Sequence, residues 1–93
     1  ELKEYYSELS LILREYTEHR FNFPALELPT SDIIKNLKYL DSKILSRLEF
    51  VLQKADNIKY AKGLSLDEEN KKSMKKSQEF IQLTKIEKDE SSK

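Results

Sequence analysis

Apolar residues recur along this chain at helical intervals, and their spacing divides it into four stretches. In the first, Leu2, Tyr5, Tyr6, Leu9, Ile12, Leu13 and Tyr16 follow one another every three or four positions, so at about 100° per residue they share one stripe. Glu4, Glu8, Glu15 and Glu18 lie off it. The pattern predicts an amphipathic helix from about Leu2 to Arg20, closing on His19 and Arg20, where the helix dipole favours positive charge. Leu11 points away from the stripe, either as an ordinary exposed leucine or as part of a second contact surface.

Pro24 and Pro29 forbid a helix through "FNFPALELP", with Asn22 and Phe23 at the exit turn and Ala25 to Leu28 read as a short extended segment. Phe21, Phe23, Leu26 and Leu28 are too apolar for a free loop and are expected to cross the core. The second helix should open at Thr30 or Ser31, with Asp32 in its positive first turn. Ile33, Ile34, Leu37 and Leu40 form its apolar face over about ten residues. Asp41 and Ser42 read as a fresh turn and cap. Ile44, Leu45, Leu48, Val51, Leu52 and Ala55 then predict a third helix from Ser42 to Ala55 or Asn57. Ile58 and Tyr60 alternate around Lys59 in the manner of a strand, which could pair with Ala25 to Leu28.

Gly63, the single glycine, reads as a turn or helix C-terminal residue. Ser65 and Glu68 have capping-box spacing for a fourth helix, expected to reach about Lys85 and to dock through Met74, Phe80 and Ile81. The expected architecture is all-α: a small four-helix domain over residues 1–85 with short extended segments, a winged-helix-like variant as the alternative, and a disordered tail over 86–93.

Composition narrows the function. Ninety-three residues suit one domain, and 37% charged against 38% hydrophobic residues leaves little material for a deep, dry pocket. The absence of cysteine excludes disulfides, thiolate metal sites and thiol nucleophiles. Formal charge is zero, but it is unevenly spread: minus three up to Pro29 and plus three from Thr30 to Lys62. No run of apolar residues approaches a membrane span or a signal peptide. Glu1 starts inside a periodic pattern with no cap before it, as expected of a piece of a longer protein.

No catalytic, cofactor-binding or metal-binding set emerges. His19 is the only histidine, and its place at a helix C-terminus is accounted for by the dipole. Glu15, Glu18 and His19 share a helix, but a carboxylate-bridged metal bundle needs Glu three positions before His on two helices, and Tyr16 stands there instead. Asp67, Glu68 and Glu69 are explained by dipole compensation in a first turn. Nucleic acid, bound by a helix-turn-helix or winged-helix-like DNA-binding module, is the stronger competitor, since Lys43, Arg47, Lys54, Lys59 and Lys62 cluster on and after the third helix. Glu49 and Asp56 interrupt that footprint, and a neutral domain lacks the usual basic surface. The sequence favours a protein partner, with Tyr39, Phe50 and Tyr60 as aromatic contacts and Lys43, Arg47 and Lys54 as steering charges.

Three pieces in order, "EYYSELSLILREYTEHRFNFPALELPTSDII", "ILSRLEFVLQKADNIKYAKG" and "SQEFIQLTK", resemble the C-terminal cytoplasmic domain of bacterial, Bacteroidetes-type single-pass inner-membrane proteins. Those proteins occur among the Bat aerotolerance genes, with MoxR-type ATPases and von Willebrand A domain proteins. Similar helical tails follow the membrane segments of some transglutaminase-like bacterial proteins. The resemblance covers nearly all of the chain except the tail and carries no catalytic motif. It implies a membrane helix before Glu1, a location on the cytoplasmic side of the inner membrane, and an adaptor role toward a MoxR-type ATPase or another member of a Bat-type complex.

Overall fold

A computed structural model describes residues 2–61 and 67–86. Four helices, α1 (Leu2–Phe21), α2 (Thr30–Asn36), α3 (Ser42–Ala61) and α4 (Asp67–Thr84), and a 3₁₀ turn at Ala25–Glu27 make up the fold. No strand occurs among the described residues. The capping box at Ser65, the turn at Gly63 and the tail beyond Ile86 fall outside them.

α1 ends where expected, on a left-handed residue. Asn22 has φ 64°, a conformation asparagine tolerates better than most side chains, and its N–H closes the helix on the Glu18 carbonyl at 2.9 Å. Ala25 to Glu27 then coil into the 3₁₀ turn rather than extending, with the Glu27 and Leu28 N–H groups bonded to the carbonyls of Pro24 and Ala25. This leaves Ala25 fully buried against the core. Pro29, and not Thr30 or Ser31, is the N-cap of α2. Thr30 is already the first residue of the helix, and its hydroxyl donates to Asp56 Oδ2 of α3 at 2.7 Å. α2 stops after seven residues, and 3₁₀-type bonds from Leu37, Lys38 and Leu40 carry the chain to Asp41. Asp41 caps α3 as the sequence suggests, its Oδ1 accepting the Lys43 N–H at 2.7 Å.

The strand expected at Ile58 to Tyr60 is instead the last part of α3. Ile58 lies three residues after Ala55 and seven after Val51, so it prolongs the buried stripe of Leu45, Leu48, Val51, Leu52 and Ala55. Continuing a formed helix adds one hydrogen bond per ordered residue, whereas a lone strand would need a partner that the 3₁₀ turn does not supply.

α1, α3 and α4 form a three-helix bundle with α2 covering one side. Tyr6 of α1 hydrogen-bonds Asn70 and Ser73 of α4, and Tyr16 hydrogen-bonds Thr84; α1 and α4 therefore run parallel. Arg47 and Lys54 of α3 pair with Glu79 and Glu69, so α3 is antiparallel to both. Leu13, Ile33, Leu37, Leu48 and Phe80 fill the centre with no exposed area.

α4 docks differently from the expected manner. Phe80 is fully buried and Ile81 half-buried, but Met74 is 37% exposed. The inward face of α4 is Ser73, Ser77, Phe80 and Thr84. Ser77 and Thr84 return their hydroxyls to the carbonyls four residues earlier, and Thr84 also meets the Tyr16 hydroxyl of α1 at 2.7 Å. Small side chains allow the Tyr6 ring to enter between the helices, and its hydroxyl bridges Asn70 Oδ1 and Ser73 Oγ at 2.9 Å each. Ile12, on the predicted stripe of α1, is likewise exposed, with Thr17 buried in the stripe instead. No helix among the described residues is long and apolar enough to cross a membrane.

Candidate functional site

An open groove of about 360 Å³ lies between α1 and α3, closed at one end by the 3₁₀ turn and the start of α2. Its wall on α1 carries Ser7, Ser10, Leu11 and Arg14; Leu26, Pro29 and Thr30 form the end, and Ala55, Asp56 and Lys59 the α3 wall. Leu11 is 52% and Leu26 37% exposed, so the rim is apolar where it meets solvent.

Arg14 fixes this groove. It sits one turn after Ser10, and its guanidinium reaches three places: Ser10 Oγ at 3.2 Å, the Leu28 carbonyl at 2.7 Å and Thr30 Oγ1 at 3.3 Å. The Leu28 carbonyl is passed over by the first turn of α2, whose Asp32 and Ile33 N–H groups both go to the Pro29 carbonyl. Thr30 passes the chain of bonds to Asp56 Oδ2. Hydrogen bonds from a charged donor contribute about 1.5–3 kcal/mol each, and together they tie α1, the turn, α2 and α3 into one rigid wall. Glu18 adds a clasp by accepting the Leu26 N–H at 3.1 Å. Arg14 and Asp56 are thereby both engaged by the fold.

Of the six residues expected to form one partner surface, Arg47, Lys54 and Phe50 meet α4, while Tyr39 and Lys43 face solvent. Arg47 Nε donates to Glu79 Oε1 at 2.9 Å and its Nη1 to the Lys43 carbonyl at 2.6 Å. Lys54 pairs with Glu69, and Phe50 is half-buried with the Lys76 ammonium 5.3 Å from its ring centroid. These three therefore fasten α3 to α4. Tyr39 is 70% exposed in the link before α3 and Lys43 is exposed in the first turn of that helix. The Tyr60 side chain lies outside the described residues. The groove residues were accessible to sequence reading only through Leu11, whose position off the main stripe left room for a second contact surface; Arg14 registered only as a charge.

His19 is exposed in the last turn of α1, and no group of three His, Asp or Glu side chains among the described residues is placed to hold an ion. Four exposed or half-exposed lysines, Lys71, Lys72, Lys75 and Lys76, make the outer face of α4 basic around Glu68 and Glu79.

The Arg47 guanidinium, hydrogen-bonded to Glu79, holds that carboxyl below the usual carboxylate range, with Lys75 and Lys76 adding to the effect. A depressed folded-state pKa contributes stability that is complete above the unfolded value, near about 4.3, and is lost as pH falls through it toward the folded value. Thermal melts of the parent and of Glu79→Gln should therefore differ at neutral pH and converge at an acid pH below the folded value. An equal gap at both pH values would detach Glu79 from the acid limb.

Comparison of the chain with protein-family models, curated proteins and solved structures finds no match.

Proposed function

We propose that this chain is a non-enzymatic protein-interaction module whose docking surface is the groove between α1 and α3. The observation that carries the reading is a rim of exposed leucines, Leu11 and Leu26, on a wall held rigid by Arg14. Solvent-exposed apolar side chains on a preorganised concave surface favour association, because little ordering entropy remains to be lost on binding. The resemblance to membrane-anchored proteins of Bat gene neighbourhoods suggests the partner, a MoxR-type ATPase, and a place on the cytoplasmic side of the bacterial inner membrane. The helix-turn-helix alternative has less support, since Arg47 and Lys54 on its would-be reading helix are engaged with α4.

Titration of the domain against the cognate MoxR-type ATPase tests this. Leu11→Asp combined with Leu26→Asp should weaken binding at least about tenfold, the factor that corresponds to about 1.4 kcal/mol, while the circular dichroism melt stays close to that of the parent. Undiminished binding by the folded double variant would remove the groove from the interface. A gel shift with duplex DNA should show no salt-sensitive complex.

A further inference from the structure

Ile12 and Met74 both occupy positions where helical spacing predicts core, yet Ile12 is 53% and Met74 37% exposed. They lie on facing edges of the same seam. Ile12 shares its stripe with Tyr5 and Tyr16, and the Tyr16 hydroxyl reaches Thr84 and the Ile81 carbonyl of α4. Met74 shares its stripe with Asn70, which accepts from Tyr6, and with Ile81. The outer side of the α1–α4 seam is therefore an apolar strip of half-buried Tyr5 and Ile81 with exposed Ile12 and Met74. It lies along the edge of α1 away from the groove, whose wall is Ser7, Ser10 and Arg14.

Charge is arranged about this strip with opposite signs on its two sides. On α1, exposed Glu8 and Glu15 flank Ile12; on α4, exposed Lys71 and Lys75 flank Met74. Lys75 has only a loose contact with Glu79, at 4.0 Å. Because α1 and α4 are parallel, with Tyr6 at the level of Asn70 and Ser73, Glu8 stands near the level of Lys71 and Lys75. A two-fold axis along the helices places α1 of one copy over α4 of the other, setting Glu8 against Lys71 and Lys75 twice over. An axis across the helices would set α1 against α1, glutamate on glutamate, which charge repulsion disfavours.

We infer that two copies of this chain associate through the outer α1–α4 seam as a parallel two-fold dimer, with Ile12 and Met74 at its centre and Glu8 facing Lys71 and Lys75 of the second copy. The contact is self-complementary, as closed symmetry requires. Helices of this length run about 27–30 Å, and two of them side by side present a face about 20 Å wide. That amounts to about 600 Å² per copy and about 1,200 Å² in all, the lower end for specific interfaces. The dimer is accordingly weak, with a dissociation constant on the order of tens of micromolar at low salt, and it dissociates further as salt screens the charge pairs. It leaves both grooves open, so it stands independently of the docking role given to them.

Sedimentation equilibrium of the 93-residue chain should show reversible dimerisation that weakens at least about fivefold between about 0.05 M and about 0.5 M salt. Ile12→Asp should be monomeric throughout, with a parent-like circular dichroism spectrum. The variant Glu8→Lys and the double variant Lys71→Glu with Lys75→Glu should each be monomeric alone and form a one-to-one complex when mixed, since each then offers the charge the other has lost. A parent chain that stays monomeric at several hundred micromolar would overturn the inference, as would a dimer indifferent to Ile12→Asp or variants that fail to rescue each other.

Discussion

Truncation of Phe80 to alanine is expected to remove about 3–5 kcal/mol of stability, the range for deleting a fully buried aromatic ring. Phe80 has no exposed area, and its ring meets Tyr16 edge-on at 6.1 Å between centroids and Phe21 at 6.4 Å. The other residues on the inward face of α4 are Ser73, Ser77 and Thr84, too small to fill the space the ring would vacate. α4 therefore depends on this one side chain for most of its apolar anchorage. A 93-residue domain carries about 5–14 kcal/mol in total, so urea denaturation should show the loss as a large fall in midpoint, and the melting temperature should drop by roughly 15–30 °C. Met74→Ala is the informative control. A side chain left 37% exposed should cost less than about 1 kcal/mol. Equal costs for the two would mean that α4 docks on the face carrying Met74.

That contrast also marks where the fold could be read from the sequence and where it could not. α1 and the first part of α3 carry unbroken apolar stripes, and their caps, Asn22 and Asp41, are residues whose local chemistry signals an end or a start. α4 lacks such a stripe because its buried positions are hydroxyl residues. Serine scores as polar in any periodicity, yet Ser77 satisfies itself on its own helix, and Ser73 and Thr84 meet the hydroxyls of Tyr6 and Tyr16 across the seam. Thr30 shows the same limit at a cap: its local context reads as an N-cap, but it is already the first residue of the helix, and its hydroxyl donates to a carboxylate twenty-six residues away, at Asp56. The groove follows suit, since Arg14 acquires its role only when the 3₁₀ turn presents the Leu28 carbonyl to it. Long-range polar partners leave no periodic trace. The basic residues of α3 were legible as a cluster, but not their pairing with α4, because glutamates at Glu69 and Glu79 are spaced for α4's own helix and match Arg47 and Lys54 only once the two helices run antiparallel.

Asn57→Pro should be the sharpest test of the region where sequence pattern and structure part. In α3, residue 57 is interior to a helix that runs to Ala61, and its own side chain is exposed, so the substitution acts through the backbone. Proline deletes the hydrogen bond from residue 57 to the carbonyl at 53 and its ring collides with that carbonyl, at a cost of about 3 kcal/mol. The chain could escape the clash by unwinding its last turn, but that would expose Ile58, now 5% accessible, and forfeit about 1.5–3 kcal/mol of burial. Both routes lead to a similar loss, visible as a fall of roughly 12–24 °C in melting temperature. Asn57→Ala removes the same side chain while favouring the helix, and should be neutral or slightly stabilising. A helix ending at Ala55 with an extended segment after it would tolerate proline at 57 at little cost, because the N–H would have no ladder to leave. Amide exchange resolves the two independently of stability: protection continuing through Ile58 and Lys59 in the parent, and lost there in Asn57→Pro, requires the longer helix, since only its i to i−4 bonds would shield those amides.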